Sequence, residues 1–158
     1  MRKASREMPA EWAHEVLDAA PYITISMTLN DGTPYAVPLS LARGSRNTFY
    51  FHGAQEGLKL DAIKANPKVC LSAVTKCKPL VGPKDDSFTL EFRSAIAFGR
   101  AEIVEDETER VEAMRAICQR FLPQHMPAFE QAVSRSLGHT AIVRITLDAE
   151  PTGKRKEY

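Results

Sequence analysis

The sequence predicts a mainly β protein, an antiparallel β-barrel with a few peripheral helices, and three observations predict it. Five or six short stretches alternate apolar with polar residues and are joined mostly by tight turns. Strands and helices do not alternate with long crossovers, as a parallel doubly wound sheet requires, and no internal repeat is present. Neither G-x-G-x-x-G nor a Walker pattern occurs, so the usual sequence argument for a Rossmann domain or a P-loop is missing.

Each element has its own reason. Between Pro9 and Ala20, Trp12, Ala13, Val16, Leu17 and Ala20 recur at spacings of three and four, one apolar face of a short helix suited to packing on a sheet. The period then drops to two: in "YITISMTL", Ile23, Ile25, Met27 and Leu29 alternate with Tyr22, Thr24, Ser26 and Thr28. Asn30, Asp31 and Gly32 make a turn into "YAVPLSLA", a second strand with Tyr35, Val37, Leu39 and Leu41 on one face. Pro38 denies that strand one ladder donor, so it marks an edge, a bulge, or a place where something other than a strand approaches. After the polar turn "RGSRN", a third strand runs from Thr48 to His52, and Leu58, Ala62 and Ile63 give a short helix that stops at "NP". "KVCLSAVT" is a fourth strand. Lys76 to Ser87, with two prolines, a glycine and two aspartates, reads as a loop and a candidate flap. From Phe88 a long alternation carries Phe88, Leu90, Phe92, Ser94, Ile96 and Phe98 on one face, interrupted by a single polar residue. Asp106 and Glu109 form a capping-box pattern ahead of Val111, Met114, Ile117, Cys118 and Phe121. A second helical piece, 127–137, ends at Gly138, and "TAIVRITL" closes the fold with Ala141, Val143, Ile145 and Leu147 on one side.

Composition bounds the function. A chain of 158 residues with 44% apolar and 26% charged residues buries one core, so residues 1–158 are read as a single domain. A formal net charge of +1 gives no large field for nucleic acid or anionic lipid, and the basic run in "TGKRKEY" is read as a solubilising tail. No apolar stretch reaches the length of a membrane span, and "MRKASREMPAEW" is charged where a signal peptide is apolar, so a cytoplasmic protein is expected. Cys70, Cys77 and Cys118 include no C-x-x-C pair and are read as reduced thiols, with no metal site expected.

The stretch "FYFHGAQEGLKLDAI" carries the chemistry. A helix start offers unpaired backbone N–H groups and a partial positive charge, and Lys59 in its first turn adds a full one, which suits a phosphate. The helix end contributes roughly 0.3–1 kcal/mol, each charge-assisted hydrogen bond roughly 1.5–3. Micromolar affinity, about −8 kcal/mol, therefore requires more donors. Arg93 and Ser94, on opposite faces of the long strand, are the candidates, provided that a barrel brings them beside the third strand. Taken singly, Lys59 is most often a solvated helix lysine, His52 more often a strand-end histidine bonded to backbone, and Ser94 a hydroxyl that a nearby carbonyl can satisfy.

The runs "DGTPYAVPLSL", "FYFHGAQEGLKLDAIKANPKVCLSAV" and "RSAIAFGRAEIVED" together resemble the flavin-binding split-barrel family related to pyridoxamine 5′-phosphate oxidase, and most closely its 5-nitroimidazole-resistance (Nim-like) branch. The resemblance extends from about residue 2 to "TGKRK". It implies a six-stranded antiparallel split barrel, a homodimer, and FMN lying at the subunit interface. By the same resemblance, the main chain at Val37, Pro38 and Leu39 lines the isoalloxazine, and Phe51, His52, Leu58 and Lys59 surround the ribityl phosphate. Ser94, with Arg93 beside it, matches a flavin contact, and His52, kept in the Nim-like branch, sits near the flavin or a bound small molecule. Two departures stand out. Pyridoxamine oxidases carry arginine where this chain has Val37 and Leu58, and their C-terminal arginine and histidine have no counterpart here, which argues against pyridoxamine phosphate as substrate.

The resulting expectation is an FMN-dependent oxidoreductase that passes electrons from a nicotinamide donor, NAD(P)H, to a small flat acceptor, with His52 as the catalytic candidate. The alternatives are a haem-binding split barrel using His52 as ligand, and a non-catalytic binder of a small molecule in the same cleft. A deazaflavin in place of FMN also stays open.

Overall fold

The computed structural model describes residues 3–81 and 88–157. In chain order the elements are β1 (Glu7–Met8), α1 (Ala10–Ala19), β2 (Ile23–Thr28), β3 (Pro34–Leu39), β4 (Ala42–Ser45), β5 (Thr48–Gly53), α2 (Leu58–Ala65), β6 (Lys68–Val81), β7 (Phe88–Ile103), α3 (Glu107–Phe121), α4 (Phe129–Ser136), β8 (Ala141–Leu147) and β9 (Thr152–Lys156). The strands form one antiparallel sheet in the order β3-β2-β6-β7-β8-β5-β4, with β9 joined to β7 and β1.

The sheet forks at β7. One edge of β7 pairs with β6 from Phe88 to Arg100; on the other, Phe92–Ile96 pairs with β9 and Gly99–Ile103 with β8. β8 and β9 thus lie end to end along one strand, and the Asp148 N–H donates to the Phe98 carbonyl at 2.9 Å at the junction between them. β5 and β4 continue from β8, whereas β1 and α1 gather about β9. This is the mainly β, antiparallel split barrel that the sequence predicts.

Three strands, β1, β4 and β9, lie beyond the six expected, and β6 runs further than expected. Arg43–Ser45 of "RGSRN" belong to β4, and only Arg46 and Asn47 form the turn; a bulge between Arg43 and Ser45 breaks the alternation that would have shown the strand. "TGKRK" is β9 and not a tail. Its backbone is paired on both sides, and Gly153 provides the seat for Trp12, whose ring fills the space that a β-carbon would need. Lys76–Val81, read as part of a flap, continues β6 opposite Phe88–Arg93, with a bulge between Val74 and Lys76; residues 82–87 of the expected flap lie outside the described residues. Pro79 is tolerated there because β2 reaches only Cys70–Ser72, which leaves that edge of β6 unpaired.

Two clusters make the core. The barrel interior holds Ile23, Ile25, Phe49, Phe51, Leu71, Val143 and Ile145, closed by Ala13 and Leu17 of α1. Outside the barrel, α3 and α4 cover Ile142 and Val104 with Met114, Phe129 and Val133. β7 places its small residues inward, Ala95, Ala97 and Ala101, so the face bearing Phe88, Leu90, Ile96 and Phe98 is turned out; Phe98 is 63% exposed.

Polar groups fix the helices. Asp106 caps α3, accepting the Glu109 N–H at 2.8 Å. Glu109 does not complete the box: its carboxylate accepts from Arg144 at 2.9 and 3.0 Å and from the Tyr50 hydroxyl at 2.9 Å. Burial, and then Glu109, push the Tyr50 phenol up to about 12, so it stays a donor. Arg120 at the end of α3 donates to the carbonyls of Leu41, Leu17, Asp18 and Ala20, which include the orphan carbonyls at the end of α1.

Candidate functional site

β5 and α2 place the two residues on either side of a glycine-opened loop. His52 is the penultimate residue of β5, opposite Ile142, and is exposed. The loop ends at Gly57, whose φ of +128° is a left-handed-side conformation that favours glycine; open space lies where its β-carbon would point. α2 begins immediately after with no side-chain cap, the N–H groups of Leu60 and Asp61 both turning back to the Gly57 carbonyl. Leu60, Ala62 and Ile63 anchor the helix in the barrel core, so the uncapped end is held rigidly.

Lys59 folds back across the strand end. Its Cε and Nζ each lie 3.1 Å from where a Gly53 β-carbon would sit, so the absence of a side chain at Gly53 is what admits the ammonium. Because strand residues alternate, Lys59 lies on the face of β5 shared with Phe51, and His52 projects from the other. Partial burial, and then the Lys59 charge, hold the His52 imidazole below the usual histidine pKa, so it is biased toward the neutral form. Among the described residues no carboxylate forms an ion pair with Lys59. An uncapped helix start, open space over Gly57 and an unneutralised ammonium are a donor set that fits a phosphate.

The other candidates fall in three places. Among the described residues β3 is an edge of the sheet with no register shift against β2, so Pro38 marks an edge and not a bulge. Val37 and Leu39 turn inward against the core, Pro38 turns out, and the outer main-chain edge of the strand pairs with no other strand among the described residues. Phe51 is a core side chain at 1% exposure and presents only main chain, whereas Leu58 stands 53% exposed at the lip of the loop. Arg93 and Ser94 are not brought beside β5. β8 lies between β5 and β7, and the chain from His52 crosses by Ile142 to Val104, ten positions along β7 from Ser94, roughly 30 Å of extended strand. Arg93 is moreover held by Glu157, through Nε at 2.7 Å and Nη2 at 3.1 Å. Sequence reasoning misses this partner because "TGKRKEY" reads as a solubilising tail.

A cleft of about 720 Å³ runs along α2 between Leu60 and Ile63 on one side and Ala101–Glu105 on the other, and neither His52 nor Lys59 lines it. Two of its polar walls are already engaged: Glu102 pairs with Arg144 at 2.9 Å, and Arg110 donates to the Leu137 and Thr140 carbonyls at 2.6 and 3.0 Å. Among the described residues no cluster of His, Cys, Asp and Glu is arranged to hold a metal ion, and no helix is long and apolar enough to cross a membrane.

Comparison with known proteins agrees with this architecture. The flavocytochrome Anf3 from Azotobacter vinelandii superposes with a TM-score of 0.80 at 24% identity, over 94% of this chain and 67% of that one. An FAD and heme binding protein from Mycobacterium smegmatis superposes with a TM-score of 0.83 at 22% identity, over 97% of this chain and 74% of that one. A Bacteroides thetaiotaomicron protein, named as a candidate 5-nitroimidazole antibiotic resistance protein, gives a TM-score of 0.74 at 20% identity, over 96% and 90%. No curated protein matches the sequence. The family profile described as pyridoxamine 5′-phosphate oxidase matches residues 9–155, nearly the whole chain. Fold and profile coincide, and the chain belongs to the pyridoxamine 5′-phosphate oxidase family.

Proposed function

We propose that the protein is a homodimeric FMN-binding oxidoreductase that takes electrons from a nicotinamide donor and delivers them to a small flat acceptor, such as a nitro-heteroaromatic compound or a quinone. The observation that carries this reading is the unneutralised Lys59 ammonium laid across Gly53 at the uncapped start of α2. Similar structures named for FAD and for a flavocytochrome support the flavin class. In this reading Lys59 and the first N–H groups of α2 hold the phosphate, and Leu58 contributes an apolar lip in place of a donor. The unpaired main-chain edge at Val37–Leu39 lies against the ring. His52, biased toward the neutral form, faces the bound small molecule and is available to accept or donate a proton. The flavin, when bound, supplies the hydride and electron chemistry.

Arg93 and Ser94 reach the same cofactor only from a second copy of the chain, which ties the site to dimerisation. The outer faces of β6 and β7 supply a surface for it. Cross-strand pairs there set Val74 beside Ser94, Ser72 beside Ile96 and Cys70 beside Phe98, and Val74, Ile96 and Phe98 are exposed. Phe98→Glu is expected to convert a dimer into a monomer in sedimentation-velocity runs and to weaken FMN binding at the same time. A monomeric parent chain removes this part of the reading.

The direct test is an absorbance spectrum of the purified full-length chain, followed by FMN titration and anaerobic addition of NADPH. Flavin bands that bleach on addition are expected; a protein that neither carries nor takes up FMN overturns the reading. His52 also favours a second one, haem ligation by an exposed and readily neutral imidazole, and a Soret band lost in His52→Ala distinguishes it. Flavin binding without steady-state turnover assigns a binder.

A further inference from the structure

A second cluster of cations lies on the β6–β7–β9 arm, away from the loop site of its own chain, and includes Arg93, the residue that the proposed function brings to the partner's cofactor. The bulge between Val74 and Lys76 re-aims Lys76, whose Nζ pairs with Glu157 at 2.9 Å and with the buried Glu91 at 3.1 Å. Arg93 grips both oxygens of Glu157 as a fork, and Arg155 Nε stands 3.8 Å from the same carboxylate. Arg93 and Arg155 are direct partners in the β7–β9 register, a placement of like charges that is destabilising unless an anion lies between them. Lys154, one position earlier, lies over the Phe92 ring at 5.9 Å. Three cations thus converge on one carboxylate, and Lys76 also reaches a second acid, Glu91.

We infer that Lys76, Arg93 and Arg155 form a phosphate-binding nest that the chain fills with its own Glu157 carboxylate, and that a phosphate ester or diphosphate enters by displacing Glu157. A phosphate dianion carries one charge more than a carboxylate and offers three acceptor oxygens, which suits two guanidinium groups and an ammonium better than Glu157 does. The Arg93 and Lys76 bonds hold the Glu157 carboxyl down to about 2, so it stays anionic throughout the working range. Exchange therefore responds to competing anions and to salt, not to protonation of the gate. Inorganic anions alone test the nest, so its failure and the failure of the flavin reading are distinguishable.

The experiment is calorimetric titration of the full-length chain with pyrophosphate, inorganic phosphate and FMN, for the parent, E157Q and E157Q/R93M. Pyrophosphate binding at least tenfold tighter in E157Q than in the parent, and lost in E157Q/R93M, is the expected result. The FMN arm separates a nucleotide phosphate from a free one as the source. Equal affinity in the parent and E157Q, or binding that survives R93M, overturns the inference. Should E157Q fail to fold, NMR of the parent decides: the Arg93 Nε–H and Glu157 carboxyl signals shift together with millimolar pyrophosphate, or they stay fixed and the inference falls.

Discussion

Arg120→Met is expected to destabilise the fold by about 3 kcal/mol, a fall of roughly 6–12 °C in Tm for a chain of this size. The guanidinium donates to four backbone carbonyls, closely to Leu41, at 2.5 Å to Asp18 and 2.7 Å to Ala20, and at 3.4 Å to Leu17, so three close charge-assisted bonds and one weaker one are lost together. Methionine keeps much of the volume but leaves the end of α1 and the β3–β4 link without their donor. Burial lowers the Arg120 pKa, which shows that its charge is already kept at some cost and is retained for these bonds. Arg120→Lys recovers only part of the loss, because an ammonium cannot span acceptors on two segments. Chemical denaturation monitored by tryptophan fluorescence measures it: Trp12 lies on α1, the helix that is released. A loss under 1 kcal/mol for Arg120→Met shows that water replaces the guanidinium and that the staple is incidental.

Lys59→Met is expected to weaken FMN binding by about 10- to 100-fold, the equivalent of one charge-assisted bond of roughly 1.5–3 kcal/mol, with little effect on stability. The side chain is half-buried against Gly53 and has no acidic partner among the described residues, so its removal strands no counter-ion. A second readout is independent of flavin. The Lys59 charge is one of the two causes that lower the His52 pKa, and removing a neighbouring cation favours the imidazolium, so the His52 titration followed by NMR moves upward in Lys59→Met. The linkage has a definite sign. With a folded pKa below the unfolded one, protonation of His52 disfavours the native state as pH falls through the unfolded value, and the penalty levels off below the folded one. The variant relieves part of that acid penalty. An unchanged His52 titration together with unchanged FMN affinity removes Lys59 from the site.

Local pattern carried much of the fold. The alternation of Ile23, Ile25 and Met27, and that of Val143, Ile145 and Leu147, corresponds to buried positions in β2 and β8, because one buried face imposes a period of two on any strand. β9 escaped notice because Thr152–Lys156 has no such period; it is held by backbone pairing on two sides and by the fit of Trp12 on Gly153. β7 shows the limit of reading period alone. Its large residues and its alanines alternate equally well, and only the packed barrel, which buries Ala95, Ala97 and Ala101, determines which face turns inward.

The candidate site divides in the same way. The β5–α2 loop, with His52, Gly57 and Lys59 within eight residues, was visible because its geometry is local: a strand end, a positive-φ glycine and a helix start. The fate of Arg93 was not, since its partner Glu157 lies 64 positions further along the chain and is delivered by a strand with no sequence signature.

By itself, then, the sequence determined the strand and helix periods, the position of the phosphate-suited loop and the family pattern, all of which depend on neighbours a few residues apart. Only the tertiary structure decided that β8 and β9 share one edge of β7, that Lys59 lies over Gly53, that Arg93 is held by a carboxylate, and that the apolar face of β6 and β7 is left outside. Those outcomes are set by which distant segments win the competition for the same edges and charges, a balance of whole-chain packing that no short window contains.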